Sequence, residues 1–233
     1  MKTIGILGGM GPGATNLFYQ KIIHIFQSKH QAFQDTDFPK MIIYSLPLEG
    51  FDETGIVDKT LVLKQLFEGV KLLNNASCDF IVIPCNTVHY FINELQNKSK
   101  VPIISIVKES CKKLVGDNIS NIALFGSDST VKLSFYQELL NNYNINFVIP
   151  SDEGQKATTN LIAEVMGGKI NSLEKIQVLN LIEEIKEIQA VLLACTELPL
   201  AIQQSDLSKN NIKIYDTLQI LAEATVEYCI GKT

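Results

Sequence analysis

Ile81-Val82-Ile83-Pro84-Cys85-Asn86-Thr87 and its echo Val191-Leu192-Leu193-Ala194-Cys195-Thr196-Glu197 decide how this chain is read. Each opens on an apolar run of strand length that lacks the polar alternation of a half-solvated sheet, which predicts a strand buried on both faces. Each stops at a cysteine, and the threonine close behind predicts a helix cap. A buried strand would thus deliver a thiol to a helix N-terminus. The two cysteines stand 110 positions apart (195 − 85), so one element is used twice.

Working outward, Thr3-Ile4-Gly5-Ile6-Leu7 runs into Gly8-Gly9-Met10-Gly11-Pro12-Gly13-Ala14-Thr15, and Leu17, Phe18, Ile22, Ile25 and Phe26 follow at helical spacing. This predicts strand, glycine loop and helix, with Pro12 in the first turn. Gly9, Gly11 and Ala14 satisfy the G-x-G-x-x-A pattern of a dinucleotide turn, with Asp35 and Asp37 further on; a small-anion cradle and a ligand-free tight turn fit the same residues. Met41–Leu46 reads as a second strand before a loop carrying Glu49, Asp52 and Glu53. Leu61, Leu63, Leu66, Phe67, Val70 and Leu73 mark an amphipathic helix, and Val101–Ile106 a fourth strand.

The second half repeats this plan. Ile122–Ser127 echoes the glycine-ended first strand 118 positions later (126 − 8), and Ile212-Lys213-Ile214-Tyr215 answers Val101-Pro102-Ile103-Ile104. Three matched pairs predict an α/β protein of two pseudo-symmetric parallel-sheet lobes. Ligands of open α/β sheets bind beyond the strand C-termini, so the active site is expected in the cleft between the lobes. The first lobe is expected to span 1–99, completed by a C-terminal helix over 216–233, and the second 100–215.

With 233 residues, 46% of them hydrophobic, the chain can bury a substantial core. Its net charge of −5 and the absence of a basic stripe exclude a nucleic-acid footprint. No apolar run approaches the roughly 20 residues of a membrane span, and no leader pattern opens the chain, so a cytoplasmic protein is expected. Five cysteines without compact spacing argue against a disulfide framework. Cys78, Cys111 and Cys229 read as structural.

Two thiols held near helix N-termini could act as bases without a metal. On opposite faces of a tetrahedral carbon, one removes the α-proton and the other returns a proton from the far side, inverting configuration. Donors from Gly11, Asn86 and Thr196 aimed at the substrate carboxylate would stabilise the carbanion. His89, one turn beyond Cys85, either tunes that thiol or packs. Glu197 either polarises the Cys195 site or serves as a first-turn dipole partner. His24 and His30 show no metal spacing, and Ser45 and Ser127 are lining candidates.

Gly8-Gly9-Met10-Gly11-Pro12, Pro84-Cys85-Asn86-Thr87-Val88-His89 and Cys195-Thr196-Glu197-Leu198 together resemble the cofactor-independent aspartate/glutamate racemase superfamily, closest to its aspartate racemase branch. The resemblance extends to Tyr215-Asp216-Thr217 and covers nearly the whole chain. It implies two α/β lobes, catalysis by two cysteines without pyridoxal phosphate or metal, a small-molecule amino-acid substrate and a homodimer. Carried over by position, Cys85 and Cys195 are the acid/base pair. Met10, Gly11, Asn86, Thr87 and Thr196 hold the α-carboxylate or the reacting centre, Thr130 belongs to the second glycine loop, and Lys156 faces the distal carboxylate. The expected function is interconversion of the L- and D-forms of an acidic amino acid, aspartate first and glutamate second.

One departure stands out. Aspartate racemases of this type often carry an arginine in the loop after the second strand, whereas here the loop reads Leu46-Pro47-Leu48-Glu49-Gly50-Phe51-Asp52, and the whole chain contains no arginine. Alternatives are an isomerase or decarboxylase of a small dicarboxylate, a hydantoin racemase, a two-lobed amino-acid-binding protein without turnover, and a dinucleotide-dependent oxidoreductase.

Overall fold

A computed structural model describes residues 1–52, 54–169, 172–207 and 212–232; Glu53 lies outside them. The chain divides into two units, the first made of Met1–Phe51, Val57–Glu109 and Leu218–Thr233, the second of Asp52–Ile56 and Ser110–Thr217. Along the chain the units change between Glu109 and Ser110, and residues 52–56 are counted with the second unit.

The first unit carries β1 (Ile4–Gly8), α1 (Pro12–His30), β2 (Met41–Ser45), α2 (Lys59–Asn75), β3 (Phe80–Val82), α3 (Ile92–Lys98), β4 (Ile103–Ile104) and the start of α4 (Ile106–Gly116). Its four strands are parallel in the order β2-β1-β3-β4. The second carries β5 (Asn121–Gly126), α5 (Asp128–Lys132), α6 (Phe135–Asn142), β6 (Asn146–Val148), α7 (Asp152–Met166), α8 (Ser172–Glu184), β7 (Ala190–Ala194), α9 (Leu198–Ala201) and β8 (Lys213–Asp216). Its order is β6-β5-β7-β8, the same topology four strands on. The duplication reaches the hydrogen-bond register. Ile4 pairs with Phe80, and Ile122, 118 positions after Ile4, pairs with Ala190, 110 positions after Phe80.

β1, β3 and β7 are buried along their whole length, as strands covered by helices on both faces must be. Phe18 and Ile22 of α1 and Leu66 and Leu73 of α2 are fully buried in the first unit. In the second, Leu161 of α7 and Val178 and Ile182 of α8 cluster with Val191 and Leu193 of β7. α10 (Thr217–Cys229) ends the chain in the first unit, where Tyr228 packs edge-on against Phe80 and Glu223 pairs with Lys29 at 3.1 Å.

One strand expectation changes, and one strand was not expected. The fourth strand is only Ile103–Ile104, because Ser105 caps α4: its Oγ accepts from Lys108 N–H at 3.3 Å and its carbonyl from Glu109 N–H at 2.9 Å. β6 was not anticipated, although Phe147-Val148-Ile149 is apolar; it lies at the edge of the sheet, with Asn146 and Val148 exposed. No helix of the described residues is long and apolar enough to cross a membrane.

Candidate active site

In parallel sheets every strand C-terminus meets the same edge, so β1 and β3 open the glycine loop and the Cys85 segment side by side. Gly9 takes φ +96°, and a Cβ there would stand 2.4 Å from the Leu46 carbonyl oxygen, so only glycine fits. Thr15 closes the turn by accepting from Gly9 N–H at 2.9 Å and donating to the Gly11 carbonyl at 3.0 Å. Gly11 is the N-cap of α1, and Pro12 sits in the first turn as anticipated. Met10 and Gly11 are both buried.

The dinucleotide pattern loses its acidic partner. Asp35 and Asp37 lie in a 3-10 turn before β2, not at its end, and Asp37 accepts from Phe33 and Gln34 N–H groups, which hold its carboxyl below the usual range.

Cys85 is three residues past the end of β3 and 7% exposed. The threonine-capped helix expected behind it is instead a 3-10 turn, Thr87–Phe91, whose N-cap position is Asn86. Asn86 is in the right-handed helical region, φ −67° and ψ −50°, and makes no side-chain cap bond. A capping side chain needs an extended backbone to reach back to the first N–H groups, so neither Asn86 nor Thr87 caps here. Both are buried.

His89 braces this segment. Its Nδ1 lies 2.8 Å from the Cys85 carbonyl, which can only accept, so Nδ1 carries the proton; Nε2 accepts from Ile106 N–H at 3.2 Å. The ring touches the backbone of Cys85 and ties it to the start of α4. Burial pushes its pKa down to about 4, against the carbonyls of Cys85 and Ile104, which favour the charged ring.

In the second unit Gly126 pairs with Ala194, so β5 and β7 present Ser127 and Cys195 at the same sheet edge. Ser127 caps α5, accepting from Thr130 N–H at 3.2 Å, with the two hydroxyls 3.1 Å apart. Thr130 is fully buried. Cys195, 8% exposed, directly follows β7. Here too the expected threonine cap is absent: α9 has four residues, its N-cap position is Glu197 in helical conformation, and no side-chain cap bond forms.

The Glu197 carboxylate turns back instead. Its Oε2 accepts from Cys195 Sγ–H at 3.2 Å and from Thr196 Oγ1–H at 3.0 Å, with Glu197 6% exposed. The side chain of Glu197 therefore lies against the Cys195 sulfur.

Lys156 is exposed on α7 and is not drawn into this cluster by a hydrogen bond. Its neighbour Gln155, which carries no sequence signal, does reach the edge: Nε2 donates to the Gly126 carbonyl at 2.9 Å, and Oε1 is buried without a partner among the described residues. Asp52 is occupied by its own turn, accepting from Thr54 N–H, Thr54 Oγ1–H and Gly55 N–H, which lower its pKa. Its carbonyl accepts from Ser129 Oγ at 2.8 Å. Glu49 and Ser45 are exposed. Burial raises the pKa of Cys78, Cys111 (to about 12) and Cys229, so these three thiols stay protonated, as structural cysteines do.

The profile of the Asp/Glu/Hydantoin racemase family matches residues 7–225. The chain is 34% identical over 226 residues to the broad specificity amino-acid racemase RacX of Bacillus subtilis, covering 96% of each chain. Among solved structures it is similar to an aspartate racemase homologue of Pyrococcus horikoshii, with TM-score 0.81 and 29% identity over 99% of this chain and 100% of that one. It is also similar to the Picrophilus torridus aspartate racemase, with TM-score 0.83 and 27% identity over 98% and 94%. Duplicated sheets, each with a buried cysteine at its C-terminal edge, and a family match from the first strand to the last helix make this chain a member of the Asp/Glu/Hydantoin racemase family, and a racemase.

Proposed function

We propose that the chain inverts the α-carbon of free amino acids by two-base proton transfer between Cys85 and Cys195, with no bound cofactor taking part. The observation that carries this is the equivalence of the two thiols. Each lies buried just past the second strand of the matched pairs Ile4–Phe80 and Ile122–Ala190. The reading requires the two sulfurs to face one carbon from opposite sides. One cysteine, as thiolate, takes the Cα proton; the C–H bond breaks, an S–H bond forms, and the electron pair spreads into the α-carboxylate. The other, as thiol, returns a proton to the opposite face and is left as thiolate. Met10, Gly11, Asn86, Thr87, Thr130 and Thr196 are the proposed groups around the α-carboxylate, where donors gain most as carbanion charge develops.

Aspartate is the first substrate proposed, supported by similarity to the Picrophilus enzyme, with Lys156 as the cation for its distal carboxylate. A second reading, a substrate set wider than dicarboxylates, is favoured by the absence of arginine from all 233 residues, since a lone ammonium clamps a carboxylate less directionally. Similarity to a broad specificity racemase supports it as well. A homodimer is the assembly proposed, checked by light scattering.

Incubation in D2O with L-aspartate, L-glutamate, L-alanine, L-glutamine and L-lysine, read by chiral chromatography and by deuterium at Cα, tests both. Turnover of aspartate alone supports the first reading, and comparable kcat/KM across several supports the second. Affinity without deuterium incorporation for any amino acid would overturn the proposal.

A further inference from the structure

One of the two thiols has a buried carboxylate on it. Cys195 has the Glu197 carboxylate 3.2 Å from its sulfur, and that oxygen also takes the Thr196 hydroxyl. The Cys85 segment has no acidic residue between Pro84 and Phe91; its nearby ionisable ring, His89, is turned onto the Cys85 carbonyl and held neutral.

We infer that Glu197 is a positioning residue that keeps the proton on Cys195, making Cys195 the resting acid and Cys85 the resting base of the pair. A thiolate at Cys195 would put two negative charges about 3 Å apart in a buried corner, where like charges are costly. The S–H···carboxylate bond, by contrast, is charge-assisted and holds only in the thiol form. The inference rests on the two-thiol reading above and adds an order to it. In the first half-turnover Cys85 breaks the Cα–H bond and keeps that proton as S–H. Cys195 gives its own proton to the opposite face, and the negative charge this leaves beside Glu197 drives its reprotonation. A substrate of the other hand can supply that proton and take the one held on Cys85, or solvent can do both.

The charged residues on the elements around this corner are Asp128 and Lys132 on α5, paired at 2.8 Å, Asp152, Glu153, Lys156 and Glu164 on α7, and Lys213 and Asp216 on β8. Glu197→Gln leaves all of them in place and keeps the side-chain shape while removing the negative charge, and Glu197→Asp, which keeps the charge, separates charge from hydrogen bonding.

Site-resolved alkylation by iodoacetamide, followed by mass spectrometry from pH 5 to 10 without substrate, tests the inference on the full chain. In Glu197→Gln the Cys195 rate near neutral pH should rise about tenfold or more, its midpoint falling by about one pH unit, while the Cys85 profile stays put. Glu197→Asp should return the Cys195 midpoint towards wild type. An unchanged or slower Cys195 rate in Glu197→Gln would overturn the inference, since a carboxylate that helps form the thiolate predicts that result. In racemisation assays Glu197→Gln should lower kcat/KM by the same factor from L and from D, as an equilibrium constant of one demands, and shift the pH profile to the acid side. If alkylation shifts as stated but wild type never racemises an amino acid, the proposed function fails and the charge assignment stands.

Discussion

The Cys85 segment and the Cys195 segment are built on the same four-strand order and register, yet they are braced differently. The first is held through its backbone: Thr15 closes the glycine turn and His89 ties the Cys85 carbonyl to α4. The second is held through side chains, with Glu197 on the thiol and Ser127 on α5. A duplicated frame therefore fixes where the two sulfurs emerge, while unshared neighbours set the surroundings of each.

The sharpest way to break the comparison is to remove each sulfur in turn. Cys85→Ser and Cys195→Ser should each lower racemisation about 10³-fold, as loss of a general base or acid does. Retention of near-wild-type rate by either variant in a chiral assay would leave one base only.

The glycine turns should separate next. Gly9→Ala meets the Leu46 backbone at 2.4 Å with φ +96° and should cost about 3 kcal/mol or more in urea unfolding. Gly126→Ala meets the Ala194 carbonyl oxygen at 3.1 Å without a left-handed φ and should cost about 1 kcal/mol. Equal losses would mean that the two turns are under the same constraint.

Acid should tell the units apart through His89, because all three histidines, His24, His30 and His89, lie in the first unit. The folded pKa of about 4 is below the ordinary 6.5, so between these values the unfolded chain binds a proton that the folded chain refuses. Stability is therefore full above about pH 6.5 and falls as pH drops towards 4, by about 3 kcal/mol in all. Urea unfolding at pH 7 and pH 4.5 should show the loss in wild type and a smaller one in His89→Asn. An NMR titration placing His89 near 6.5 would remove the effect.

The smallest difference is in the caps. Ser127→Ala should cost about 1 kcal/mol, because Ser127 satisfies the Thr130 N–H, whereas Gly11 caps α1 with no side chain to lose.

The duplicated α/β architecture was legible because burial on both faces of a parallel sheet writes itself as short apolar runs. The glycines and proline that follow β1 must be there for the chain to turn into α1. Ile81–Ile83 and Val191–Ala194 announce β3 and β7, and the offsets of 118 and 110 survive in the pairing. β6 was missed although Phe147-Val148-Ile149 is apolar, because a three-residue edge strand with Asn146 and Val148 exposed lacks the long buried run that marks β3 and β7. The helix caps behind the cysteines were read wrongly because capping depends on backbone angles at Asn86 and Glu197, which a threonine alone does not set.

By itself, then, the sequence determined two parallel sheets, their duplication and the emergence of one cysteine from each, because these follow from local hydrophobic periodicity and turn chemistry. Only the tertiary structure decided that His89 would brace Cys85 against Ile106, that Gln155 would reach Gly126, and that Glu197 would turn its carboxylate onto Cys195. Those contacts depend on side-chain direction and on partners brought close by folding, and neither is encoded in spacing along the chain.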